Sequence, residues 1–294
     1  MLLDLSGLPL TGTDALGVRW SAQRDKTVVL DSPGPKGRST PRVGAHGVWV
    51  GDIWLDAARP VIGGYAYAAD ESALSAARDR LTSAVGVSDS VLTITEGSVV
   101  RSLSVRRDGP VMWQVVTPGD GRIQAVAEWS VQLVAQDPRL KAATLSVEVR
   151  LPSTSGGLTW PVTWPVTWTD VTQTGEGSLT NPGNVAGPVR LRLDGPSNPA
   201  DPPLVGPVVT HVSSGQRLVF ASSLTLAHGE FVTVDMERRE VLAQGIEPRN
   251  GWVLRSAANF GWAAFQPGAN VWSFTAQAAS ASALLTVEAD PAWQ

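Results

Sequence analysis

Metal or acid–base chemistry in this chain would have to begin at three histidines, His46, His211 and His228. Their spacing matches neither a His-Glu-x-x-His helix nor a paired zinc-ligand pattern. The chain has no cysteine, so thiolate catalysis, thiolate–metal sites and disulfides are all excluded. A Gly-x-Ser-x-Gly elbow and a phosphate-binding loop are absent, and Gly195, Gly245 and Gly251 stand alone as turn residues. The carboxylates are numerous, but no spacing selects a glycosidase pair among them. Arg190 and Arg192 alternate with leucines, which is the pattern of a solvated or interface face of a strand. No catalytic, cofactor-binding or metal-binding residue is assigned, and the chain is not expected to be an enzyme. Tryptophan is the unusual component, at 12 residues. Indoles can stack on sugar rings, but most are expected to be core or interface anchors.

At 294 residues the chain is long enough for two domains, each with its own core. The net charge is −4. The residues up to Arg150 are balanced, so the surplus acid lies in the second half. Neither half is basic enough to suggest nucleic-acid readout. The N-terminus lacks the basic and apolar segments of a signal peptide, and no apolar run reaches the ~20 residues that span a bilayer. A soluble product made in the cytoplasm of its host is the expectation. Abundant glycine and proline, 29 and 21 residues, suit short strands joined by tight turns.

One repeat stands out among the elements. Trp160, Trp164 and Trp168 recur every four residues within Thr-Trp-Pro-Val units. Pro161 and Pro165 exclude a helix, so extended backbone would put the three indoles on one face, where they are expected to pack between domains. Residues 153–157, Ser-Thr-Ser-Gly-Gly, read as a flexible joint. The expected division is therefore residues 1–152, a linker over 153–170, and residues 171–294. Within the first domain, 31–47 holds three prolines and four glycines and reads as a long irregular loop. Its Lys36, Arg38, Arg42 and His46 make it a candidate arm against a neighbouring chain. One helix is expected over 71–84, with Asp70 as N-cap, Leu74, Ala77, Leu81 and Val85 as the buried stripe, and Gly86 as its end. Strands are expected around it at 17–20, 27–30, 47–50, 53–57, 60–66, 90–95, 99–106, 111–117, 125–135 and 145–151, with Asp108-Gly109 as a hairpin turn. The second domain alternates cleanly at 189–194, with further strands at 208–212, 217–220, 230–235, 240–242, 271–276 and 283–287. That is the pattern of an antiparallel sandwich.

The order of these motifs resembles the distal tail protein family of phages with long non-contractile tails. Arg42-Val-Gly-Ala-His-Gly47 is similar to the family's first loop, and Asp70 to Leu81 to its single helix. Glu128-Trp-Ser-Val-Gln-Leu-Val-Ala-Gln-Asp-Pro-Arg139 resembles the strand and turn that close its ring-forming domain. Gly157-Leu-Thr-Trp-Pro is similar to a linker of actinobacteriophage relatives. Asn181-Pro-Gly-Asn184, Pro188 to Gly195, and Trp262 before Pro267-Gly-Ala-Asn270 resemble its galectin-like domain. The chain departs from relatives in carrying Trp where they often have Phe. It also lacks an inserted sugar-binding module. The resemblance implies a mainly β fold: an N-terminal β-sandwich or split-barrel-like domain with one helix, then a C-terminal galectin-like antiparallel β-sandwich. It also implies a structural virion protein at the distal end of the tail, a homohexameric ring joining tail tube to baseplate. The implied partners are further copies of itself, the tail tube protein and the baseplate hub, with the tape measure and receptor-binding proteins beyond them. The alternative is a carbohydrate-binding module protein that recognises host cell-wall glycans.

Overall fold

The computed structural model describes residues 1–118, 123–155, 171–279 and 282–294. It is mainly β, with one α-helix among the described residues, and it divides into two units, Met1–Ala142 (with Gln294) and Ala143–Trp293. No helix among the described residues is long and apolar enough to cross a membrane.

The first unit runs β1 (Leu2–Leu5), β2 (Leu8–Pro9), β3 (Thr11–Thr13), β4 (Arg19–Ala22), β5 (Pro35–Pro41), β6 (Val48–Leu55), β7 (Val61–Ala68), α1 (Glu71–Ala84), β8 (Ser90–Glu96), β9 (Val99–Arg107), β10 (Met112–Thr117), β11 (Ala125–Val134) and β12 (Leu140–Lys141). One antiparallel layer is ordered β2-β1-β8-β9. The other is ordered β10-β11-β7-β4-β3, and they meet where the end of β11 pairs with Arg106 and Arg107 of β9. Strand β11 shows why the layers pack. Ala125, Ala127, Trp129, Val131 and Leu133 alternate inward and are buried, as a period of two requires. Trp20 of β4 meets Trp129 edge to face at 5.7 Å. Helix α1 packs on β7 and β11 through Leu74, Ala77 and Leu81, and the Asp70 side chain accepts from Ala73 N. Val85 caps its C-terminus and the expected Gly86 follows directly.

A buried carboxylate ties this unit together. Asp14 Oδ1 accepts from Leu16 N and Val18 N, and its Oδ2 accepts from Trp20 Nε1 at 2.9 Å and Arg80 Nη1 at 2.5 Å. Burial would raise its pKa, but these hydrogen bonds, led by that from Trp20, hold it below the ordinary value. One side chain thus fixes the loop before β4, the central tryptophan and the helix.

Three expectations for this unit change. Residues 27–30 form no strand and contribute only the Val28–Val61 bridge. Asp108-Gly109 is no hairpin turn, because β10 pairs with β11 and not with β9. Asp108 N bonds to Gln132 O, and a Cβ on Gly109 would lie 2.9 Å from Gln132 Oε1, so the dipeptide is pressed against β11. The region 31–47 is not irregular, because β5 lies within it.

The second unit contains β13 (Leu145–Arg150), β14 (Ser153–Ser155), β15 (Val171–Gln173), β16 (Glu176–Asn181), β17 (Val189–Asp194), β18 (Leu204–Val205), β19 (Val208–His211), β20 (Gln216–Val219), β21 (Thr225–Leu226), β22 (Phe231–Asp235), β23 (Glu240–Ala243), β24 (Glu247–Pro248), β25 (Gly268–Thr275), β26 (Leu284–Ala289) and β27 (Ala292–Trp293). Its sheets are ordered β13-β26-β17-β22-β23-β24 and β16-β25-β19-β20. Between them lies one core containing Leu191, Val234, Val287, Phe220, Phe265, Trp272 and Phe274. The first unit therefore ends ten residues earlier than 152: β13 is registered against β26 over its whole length, and Val149 is buried in this second core. Of the expected joint at 153–157, Ser153 to Ser155 fall in a strand, and 156 and 157 lie outside the described residues. Ser153 to Ser155 pair with Val171 to Gln173, so the chain enters and leaves residues 156–170 within the second unit. Trp160, Trp164 and Trp168 lie outside the described residues.

Two asparagines pin this core. Asn270 Nδ2 donates to Gln266 O and Gly268 O, and its Oδ1 accepts from Gln266 N and lies 3.0 Å from His211 Nε2. Asn181 Nδ2 reaches Phe265 O at 2.8 Å. Replacing Asn270 with Leu strands these buried partners and should destabilise the second unit by about 2–4 kcal/mol, measured as a fall in its calorimetric transition.

The Asp-Pro-Arg turn predicts a pH dependence. Burial pushes Asp137 up, but hydrogen bonds from Arg139 and Lys141, with their charge, outweigh it and hold its pKa at about 2. Because the folded value lies below the unfolded one, the stabilisation is complete above about pH 4 and is lost as pH falls through about 2. Urea titrations should show Asp137→Asn costing about 2 kcal/mol at pH 7 and little at pH 2.

Candidate assembly interface

The predicted arm residues fall on one structural feature. Strands β5 and β6 form a two-stranded hairpin that hydrogen-bonds to no other strand among the described residues. The prolines permit this because Pro35 and Pro41 sit at the strand ends. Gly44 and Gly47 adopt positive φ, +74° and +94°, in the turn, which Arg42 N closes by donating to Gly47 O. At the base, Asp56 N donates to Gly34 O.

Register decides what the hairpin displays. Gly37 opposes Ile53 but Ser39 opposes Val50, so Gly51 and Asp52 together face Arg38 as a bulge. Trp49 and Trp54 are five residues apart and would otherwise point to opposite faces. The bulge brings them to one face, which they share with Lys36, Arg38 and Thr40. The other face carries Val48, Val50, Ile53 and the prolines. Both faces are exposed: Trp49 is 65% accessible, Trp54 69% and Ile53 60%. The Arg42 guanidinium lies 4.4 Å from the Trp49 ring centroid, a cation–π contact at the tip. His46 is in the turn itself. The structure thus brings Lys36, Arg38, Arg42 and His46 together on one hairpin. Its exposed apolar residues, Val48, Val50 and Ile53, were assigned only to strands, because the bulge at Gly51 and Asp52 breaks the period of two that would place them on one face.

The other histidines sit elsewhere. His211 is buried against Trp272 with Nδ1 2.7 Å from Ser214 Oγ, and desolvation pushes its pKa down. His228 Nδ1 is 3.0 Å from Pro196 O. Among the described residues no three His, Asp or Glu side chains converge as metal ligands.

Against known proteins, no family model and no curated protein matches this chain. Solved structures do show a likeness of fold. The chain is similar to SPP1 Dit (gp 19.1), described as a paradigm of the hub adsorption apparatus in phages infecting Gram-positive bacteria. That likeness has a TM-score of 0.60 and 11% identity, and covers 98% of this chain and 97% of that one. A chain of the phage P2 baseplate in its activated conformation with Ca has a TM-score of 0.46 and 8% identity, covering 92% of this chain and 90% of that chain. The mainly β, Dit-like fold is therefore established.

An uncovered hairpin contributes little to the fold it projects from. Replacing Val50 and Ile53 together with Asp should change the thermal stability of either unit by less than about 1 kcal/mol, read by calorimetry.

Proposed function

We propose that this chain is a structural virion protein that closes into a ring at the distal end of a long non-contractile phage tail. The observation that carries the proposal is the β5–β6 hairpin, which exposes apolar side chains on both faces. Each exposed Val, Ile or Trp gains about 1.5–3 kcal/mol on full burial, so a surface that takes up the hairpin is strongly favoured. The Dit-like fold supports the next copy of this chain as that surface. A head-to-tail contact of one hairpin with the neighbouring subunit closes into a ring when the rotation between copies divides a full turn. The resemblance read from the sequence adds six copies, the tail tube protein on one ring face and the baseplate hub on the other. The tape measure and receptor-binding proteins lie beyond them. Lys36, Arg38, Arg42 and His46 belong to the interface, and the role is assembly without catalysis.

The test is light scattering and negative-stain electron microscopy of the full chain beside the Val50→Asp, Ile53→Asp variant. The full chain should form closed rings and the variant folded monomers. A monomeric full chain, or rings formed equally by the variant, overturns the proposal.

A further inference from the structure

Of the three histidines, His211 alone is sealed inside the protein, 1% exposed in the second unit, and assembly through the hairpin does not use it. We propose that His211 is an acid-sensitive latch: a proton taken up on its ring opens the end of the sandwich where the 213–215 turn and residues 266–268 are tied to it.

Hydrogen bonds fix the state of the ring. Three backbone groups orient the Asn270 amide: Nδ2 donates to Gln266 O at 2.7 Å and to Gly268 O at 2.8 Å, and Oδ1 accepts from Gln266 N at 2.9 Å. Oδ1 can therefore only accept from His211, so Nε2, 3.0 Å away, carries the ring proton. Nδ1 keeps its lone pair and accepts from the Ser214 hydroxyl at 2.7 Å. Both nitrogens of a neutral imidazole are thus satisfied. Ser214 lies in the tight turn between β19 and β20, where Gly215 N donates to His211 O and Ser213 Oγ accepts from Val271 N. Ser214 is itself exposed, so the Nδ1 side of the ring is capped by a residue at the surface.

A second ring proton finds no counter-charge. It would enter at Nδ1 and turn the Ser214 hydroxyl from donor to acceptor, leaving that hydroxyl only the long reach of 3.4 Å to Gln216 Oε1 for its own proton. The elements around the ring offer Gln216 from β20, Asn270 and Trp272 from β25, and Ser213 and Ser214 from the turn, all uncharged. Arg217 opposes Thr210 and Glu176 opposes Ser273, so both lie one position along, on the other face of the sheet. Across the sandwich the core is apolar. Asp290, the other buried ionisable group of this unit among the described residues, is engaged by Thr144 and Arg190. Trp272 meets the ring at 4.5 Å but tilted by 38°, a weak counterweight to a desolvated cation. Burial accordingly holds the folded pKa below the ordinary value of about 6.5. The stabilisation is therefore complete above about pH 6.5 and is lost as pH falls below it, when the unfolded or opened chain takes up the proton first. Strands β19 and β20 close the order β16-β25-β19-β20, so this end can part while β17 stays paired with β22 and β26.

Hydrogen exchange read by mass spectrometry on the full-length protein at pH 7.5 and pH 5.0, corrected for the intrinsic rate, tests this. Segments 208–219 and 266–275 should lose protection at pH 5.0, by at most about thirtyfold, the limit that an unfolded value of 6.5 sets. Segment 189–194 should keep its protection. His211→Gln, which retains a donor toward Asn270 and cannot take the proton, should remove the pH effect, and His228→Gln should leave it intact. The inference is overturned if protection at 208–219 is equal at the two pH values, if 189–194 loses as much, if folded His211→Gln still shows the loss, or if His228→Gln abolishes it. Wild type and His228→Gln decide the matter should His211→Gln fail to fold.

Discussion

Apolar surface on both faces of a two-stranded hairpin has to be covered, and the β5–β6 hairpin finds no strand to pair with among the described residues of its own chain. That constraint gives the first unit its reading. A pair of strands gains no core of its own, so its side chains contribute once another surface receives them. The bulge opposite Arg38 makes the constraint sharper. It gathers Trp49 and Trp54 on a basic face and leaves the opposite face aliphatic, so the hairpin presents two different surfaces.

The body that carries the hairpin is tied together by short polar side chains. Asp14 receives four hydrogen bonds inside the first unit and joins a loop, the core Trp20 and helix α1. Asp137 does similar work at the Asp-Pro-Arg turn, where a half-buried carboxylate is held by its own neighbours in sequence. In the second unit Asn181 and Asn270 take the corresponding role with neutral amides. In each case a short polar side chain satisfies backbone or indole groups that burial would otherwise leave unpaired, which is why one substitution there has a large effect.

What was legible in the sequence was local. The cap at Asp70 and the stripe Leu74, Ala77, Leu81 define α1, and Val189, Leu191, Leu193 define the buried face of β17 without knowledge of any partner. Asn181-Pro-Gly-Asn184 and Pro267-Gly-Ala-Asn270 were read only as motifs of the resemblance, and the buried bonds of Asn181 and Asn270 came from the structure. What depended on a distant partner did not show. Strand β13 looks like the end of the first domain until β26, more than a hundred residues later, is known to pair with it. The prolines and glycines at 33–47 hid β5, since composition cannot distinguish an irregular loop from a hairpin whose prolines fall at its ends. The outer face of the six-stranded sheet draws on β17, β22, β23 and β26, and sequence saw only the Arg190 and Arg192 alternation. A period of two names a face but not what stands beside it.

The absence of cysteine makes the central claim directly measurable. Ile53→Cys creates a single thiol on the aliphatic face of the hairpin. Its alkylation rate should fall by at least about tenfold as protein concentration rises through the assembly range, because assembly covers that face. A rate that stays at the free-thiol value at every concentration would contradict the account, since the hairpin would then stay bare throughout.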